Sequence, residues 1–264
     1  MCVCCPWKFF AQNAHVCAYI DASDAGAIYA CLAFFFRRHQ TKSKVVMCME
    51  LVTGGTLLDR IISCGNYSEE DARIVFRQIA SALQYLHSKG IAHRDLKPDN
   101  VMLAKAGSHT NVKVTDFGLS KILETQDPVL FSTVCGTPQY LPPEVVQVIE
   151  GSVTGYDGKS MDLYGLGTLL YVLLSGTVPF YDKDEMCMFN KIRTGTWEFH
   201  DAKWQSVHDG AKEIITELMR LNPSMRMSLE DALDHEWART SQSSTDNEDE
   251  DLHPMLSALR VNVK

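Results

Sequence analysis

The stretch that most limits what this chain can fold into runs from Ser68 to Gly90, SEEDARIVFRQIASALQYLHSKG. Ala72, Val75, Phe76, Ile79, Leu83 and Leu86 recur at helical spacing and fall on one stripe. Ser68 and Asp71 stand three apart as a capping pair, and Gly90 supplies the stop. A helix with one apolar stripe needs other elements to cover it, so the surrounding sequence must form a packed domain.

Composition allows this. The 264 residues are 45% hydrophobic and 22% charged, as in a globular protein with one large core or two smaller ones. A net charge of -8 argues against nucleic acid or an anionic membrane as partner, because both are bound by clustered Lys and Arg. Nine cysteines, five of them at Cys2, Cys4, Cys5, Cys17 and Cys31, make no disulfide framework, and the opening Cys2–Cys5 cluster has no second ligand pair at zinc spacing. The apolar run from Ala25 to Phe36 has 12 residues where a membrane span needs about 20. With no secretory signal in view, the expected compartment is the cytoplasm or nucleus.

Punctuation predicts the remaining elements. KVVMCMELV, ended by Thr53-Gly54-Gly55, reads as a buried strand, and a helix follows at Thr56 to Ile62. VMLA and NVKVTD, joined through Gly107-Ser108, read as a hairpin. From Leu119 to Pro143 no period is sustained, which suggests a functional loop. Helical patterns then run over Met161 to Ser175, Asp184 to Thr194, Gly210 to Leu221 and Leu229 to Trp237. SQSSTDNEDED and LHPMLSALRV at the end read as a solvated acidic tail, or as a segment docking Met255, Leu256 and Leu259 onto the domain.

The chemistry is concentrated in AHRDLKPDNVML, Ala92 to Leu103. Phosphoryl transfer needs a carboxylate to orient and deprotonate the attacking hydroxyl, a cation beside the phosphoryl oxygens, and oxygen ligands for magnesium. Asp95, Lys97 and Asn100 offer all three, and Asp116 in TDFGLS offers a second oxygen ligand beside a glycine that permits the turn.

HRDLKPDN, DFG, CGTPQYLPPE, MDLYGLG and NPSMRMS, in that order, resemble the eukaryotic protein kinases from about Ser43 to Arg239. MELVTGG, DFGLSKIL, CGTPQYLPPEV and LLSGTVPF are similar to the calcium/calmodulin-dependent group and, within it, to the checkpoint effector kinases. The resemblance implies an α+β, protein-kinase-like fold with a mostly helical large lobe. It also implies ATP and magnesium as cofactors, and protein Ser/Thr hydroxyls as substrates. Asp95 would be the base and Lys97 the charge stabiliser, with Asn100 and Asp116 as metal ligands. Thr137 would contact Asp95 and Lys97 and favour Ser or Thr. Met49 would be the gatekeeper, the backbones of Glu50 and Val52 the adenine-pairing hinge, and Asp99 an acidic neighbour in the binding cleft. Arg94 and Lys121 would form the basic pocket for an activation-loop phosphate placed by an upstream kinase at Thr133, with Ser132 competing. Glu144 and Arg226 would be a buried ion pair, Asp162 the brace of the His-Arg-Asp backbone, and His93 a scaffold.

The resemblance weakens before the hinge. Residues 1–49 contain one glycine, Gly26, and no glutamate; the first is Glu50. Lys8, Lys42 and Lys44 are the only lysines there, and none stands in a V-A-I-K-like strand, while Asp21 and Asp24 sit in no helix pattern. The expected division is therefore a truncated or atypical β-rich small lobe over 1–49, a hinge and large lobe over 50–240, and the acidic tail over 241–264. GGTLL puts Thr56 where basophilic relatives carry a glutamate. Three readings stay open: a weakly active kinase, a kinase-like binding module without chemistry, and an incomplete gene model lacking upstream residues.

Overall fold

The computed structural model describes residues 35–40, 45–122, 131–132, 135–200 and 202–239. The cysteine cluster, Lys8, Lys42, Lys44, Asp21, Asp24, Thr133 and the tail with Met255, Leu256 and Leu259 lie outside the described residues.

The first described element is an antiparallel hairpin of β1 (Phe35–Gln40) and β2 (Val45–Met49), with Gln40 opposite Val45 and Phe35 opposite Met49. Among the described residues it is all there is of a small lobe. The strand expected through Val52 ends at Met49, and Leu51 is 86% exposed. The chain is diverted because the next backbone groups are claimed elsewhere: Gly54 N–H donates to the Leu103 carbonyl at 3.0 Å and Leu103 N–H to that of Gly55 at 2.9 Å. A Cβ on Gly54 would lie 2.4 Å from that Leu103 oxygen, so this pairing requires glycine.

The helix α1 (Leu57–Cys64) starts from Thr56, whose hydroxyl accepts the Asp59 amide at 3.0 Å while the Asp59 carboxylate accepts the Thr56 amide at 3.0 Å. The Thr56 amide and then the Thr56 hydroxyl, which donates to Asp59 Oδ2 at 2.8 Å, hold the exposed Asp59 carboxyl below its usual range. The long helix α2 (Glu69–Ser88) buries all six residues of the predicted stripe completely. Burying each large one stabilises by about 1.5–3 kcal/mol, an upper estimate before chain entropy. Next come β3 (Ile91–Ala92), the hairpin of β4 (Val101–Leu103) and β5 (Val112–Val114), and β6 (Lys121–Ile122), which returns to pair with β3.

The helix α3 (Pro143–Ile149) was not foreseen. Seven residues are too few for a period to stand out, although Pro143 at its first position is the usual start signal. Fifteen of the 18 residues of α4 (Gly158–Ser175) are buried, as in a central helix covered on all sides. It begins three residues before the predicted Met161 because Asp157 caps it, accepting the Ser160 amide at 2.8 Å. The remaining helices are α5 (Glu185–Thr194), α6 (Asp209–Leu218) and α7 (Leu229–Asp234). The last two end three residues short of prediction; Leu221 and Trp237 follow them outside the helices. The core is built by α2 packing on α4 and α7, and by α4 on α6. None of these helices is long and apolar enough to cross a membrane.

Four tyrosines sit inside this core. Burial pushes the Tyr67 hydroxyl up to about 12 and those of Tyr140, Tyr156 and Tyr164 higher still. Their folded-state values exceed the unfolded one near 10, so below pH ~10 they place no pH dependence on folding. Above it the unfolded chain releases these protons first. The urea midpoint should therefore hold from about pH 8 to 10 and fall beyond, with tyrosinate absorbance rising together with unfolding. Free titration of all nine tyrosines in the folded protein would contradict this.

Candidate active site

The loop between β3 and β4 is fixed by one buried carboxylate. Asp162 of α4, 1% exposed, accepts the His93 amide at 2.8 Å and the Arg94 amide at 2.7 Å, and lies 2.8 Å from His87 Nε2. This is the bracing role expected of Asp162; the part played by His87 was not expected. These bonds hold Arg94 at φ 66°, a left-handed conformation costing a non-glycine residue about 1–3 kcal/mol.

His93 is wholly buried, as expected of a scaffold. Its Nε2 lies 2.9 Å from the Thr115 carbonyl, which can only accept, so Nε2 carries the proton and donates. Its Nδ1 accepts the Asp95 amide at 3.3 Å, giving a neutral ring with both nitrogens satisfied. The Phe117 ring packs edge-on at 5.3 Å. His93 thus ties the loop bearing Asp95 to the segment bearing Asp116.

The predicted polar residues converge. The Asp95 Oδ2 atom is 2.9 Å from Lys97 Nζ and accepts from Asn100 Nδ2 at 2.8 Å; Asn100 Nδ2 also donates to the Asp95 carbonyl at 2.7 Å. Lys97 Nζ donates to Thr137 Oγ1 at 2.7 Å, so Thr137 reaches Asp95 through the ammonium. Asp95, Gly136, Thr137, Tyr140 and Met161 line one small cleft. Among the described residues Asp95 Oδ1 carries no hydrogen bond.

Asp116 reaches the same edge along the backbone. Thr115 bonds the Asn100 carbonyl through both its amide, at 2.9 Å, and its hydroxyl, at 3.0 Å. The next residue, Asp116, adopts φ 57° and is exposed, its Oδ1 accepting the Gly118 amide at 3.0 Å. With Nδ2 engaged, the Asn100 side chain has Oδ1 left without a hydrogen bond among the described residues, as Asp116 has Oδ2. Both are hard oxygen donors, and among the described residues no cluster of three or more His, Cys, Asp or Glu could cage a metal alone. That set fits magnesium, which usually takes one or two protein oxygens and completes its shell with phosphates and water.

The periphery holds one feature the resemblance implied and one it did not. Glu144 and Arg226 form the buried pair expected of them, a two-point contact with both distances 2.6 Å, and Arg226 also donates to the carbonyls of Ser160 at 2.7 Å and Arg220 at 3.0 Å. Its guanidinium lies 4.9 Å from the Tyr164 ring centroid. The space between Arg94 and Lys121, expected to receive a phosphate, holds an aromatic ring. Phe131 sits 4.6 Å from Arg94 Cζ and 5.1 Å from Lys121 Nζ. Nothing in the loop's sequence distinguished Phe131 from any other apolar residue.

Around the hinge, Met49 ends β2, and the Glu50 carboxylate pairs with Lys113 at 3.2 Å. Val52 is half-buried. Asp99 is exposed in the turn before Asn100, and its charge adds to the burial that raises Tyr140. Thr56, at the position read as a lost glutamate, is committed to its capping box with Asp59.

Comparison with known proteins agrees with this geometry. The family model described as "Protein kinase domain" matches residues 22–238. Calcium/calmodulin-dependent protein kinase type 1 of Caenorhabditis briggsae is 40% identical over 202 residues, covering 76% of this chain and 54% of that protein. Myosin light chain kinase A of Dictyostelium discoideum is 40% identical over 204 residues, 77% and 66%. Serine/threonine-protein kinase H1 of Homo sapiens is 38% identical over 218 residues, 83% and 50%. The chain spans about half to two thirds of the length of these relatives.

Proposed function

Because the chain belongs to the protein kinase family, we propose that it transfers the γ-phosphoryl group of ATP to serine and threonine hydroxyls of protein substrates. The observation that carries this reading is the shared carboxylate: Lys97 and Asn100 both engage Asp95 Oδ2, leaving Oδ1 open for an incoming hydroxyl. In this reading Asp95 orients that hydroxyl and takes its proton. Lys97 faces the transferred phosphoryl, and Thr137 fixes the lysine. Asn100 and Asp116 would hold magnesium, which neutralises phosphate charge when bound. Met49, the backbones of Glu50 and Val52, and Asp99 would border the nucleotide. Thr133, or the exposed Ser132, would be the acceptor for an upstream kinase.

The carboxylate and ammonium contribute orientation and charge stabilisation rather than covalent chemistry, so their loss should act on turnover. With Mg-ATP and a Ser/Thr peptide, Asp95→Asn should cut phosphate incorporation by about 10²–10⁴-fold, the usual contribution of a positioned acid or base. Mass spectrometry of peptide and protein reads the result; equal incorporation by both proteins would reject Asp95 as the base. A second reading, a kinase-like binding module, is favoured by one feature: residues 1–49 offer neither a glutamate nor a glycine-rich run to fix the phosphates. It predicts no incorporation by either protein.

A further inference from the structure

The ring of Phe131 is 2% exposed, and its backbone is clamped in both directions. Its amide donates to the Tyr156 carbonyl at 2.8 Å, and the Tyr156 amide donates back at 3.1 Å. The Arg94 guanidinium lies over the ring, 4.6 Å from its centroid, and the Lys121 ammonium lies over it at 5.1 Å. Gly158 makes room for it: a Cβ there would lie 2.8 Å from the Phe131 ring. Arg94, 6% exposed, spends Nε on the Leu119 carbonyl at 2.8 Å and one terminal nitrogen on the Tyr156 hydroxyl at 3.3 Å. Among the described residues neither Arg94 nor Lys121 forms an ion pair with a carboxylate. Two cations, one buried beside the site, thus lie against the π system of one aromatic ring, an arrangement that attracts them without an anion.

We propose that Phe131 is a positioning residue: its ring is the counter-group of Arg94 and Lys121, and pins the segment after Asp116 to the loop bearing Asp95 without a phosphate. A phosphate on Ser132 or Thr133 then meets a pair of cations already engaged, and strengthens an existing order instead of creating it. The kinase reading gives this its relevance, but the test below does not depend on turnover, so the two can fail separately.

The full chain carrying Ser132→Ala and Thr133→Ala, confirmed free of phosphate by intact mass, is compared with the same chain bearing Phe131→Leu or 3,4,5-trifluorophenylalanine at position 131. Leucine keeps apolar packing without a ring; the fluorinated ring keeps the shape and loses the negative face. Hydrogen exchange of the Ser120, Lys121 and Ile122 amides is the readout, with circular dichroism confirming that each protein is folded. Protection should fall by about 5- to 30-fold in both variants, the range expected when a desolvated cation–π contact is lost. Unchanged protection in both overturns the proposal. So does loss with leucine alone, since the ring would then act by shape.

Discussion

Replacing Arg226 by alanine should destabilise the folded domain by about 3–5 kcal/mol, measured as a drop in ΔG from urea titration. The effect is large because, among the described residues, the arginine is the one charge partner of a buried carboxylate: both Glu144 oxygens are 2.6 Å from its guanidinium. Removing the arginine leaves Glu144 buried and unpaired, and frees the Ser160 and Arg220 carbonyls that it also bonds. Adding Glu144→Ala should restore part of the loss, because the stranded charge disappears with it. If the double variant is as unstable as the sum of the two single ones, the ion pair is not what holds α3 and α4 to the loop ahead of α7.

Asp162→Ala is the second large expectation. It strips the acceptor from two buried amides, those of His93 and Arg94, and from His87. Each buried donor left without a partner costs about 1–3 kcal/mol, so a loss of at least about 3 kcal/mol is expected. The loss also has a location. Arg94 keeps its left-handed backbone only while these bonds hold, so the Arg94–Asp95 peptide bond should become a site of tryptic cleavage that the intact protein resists. A variant that melts early yet resists cleavage there would separate the stability of α4 from the bracing of the loop.

Much of this was legible in the sequence, for physical reasons that differ by element. The stripe of α2 declared itself because six buried residues repeat over about four turns, and Asp95, Lys97 and Asn100 because phosphoryl transfer restricts which groups can stand so close together. Helix α3 was invisible because seven residues carry no statistical period. The diversion after Met49 was missed because KVVMCMELV is apolar throughout; only the backbone pairing of Gly54 and Gly55 with Leu103 decides where that strand stops. His87 and Phe131 were missed for a common reason. Their partners lie 75 residues away at Asp162 and, for Phe131, at Arg94 and Lys121, and no local pattern encodes a contact across a fold.

The first turn of α2 has one more consequence, for the order in which the molecule can be completed during synthesis. Glu69 accepts the His208 amide at 3.0 Å and the Trp237 indole N–H at 2.7 Å, partners 139 and 168 residues further along the chain. Trp237 also lays its ring against Phe76 at 5.9 Å. At about 5–20 residues per second, the ribosome adds Trp237 roughly 8–34 s after Glu69. For that interval part of the apolar stripe lacks its final cover, far longer than the microseconds a helix needs to form. The nascent domain is thus most exposed to aggregation and to chaperone capture through α2, and that exposure ends only when Trp237 docks.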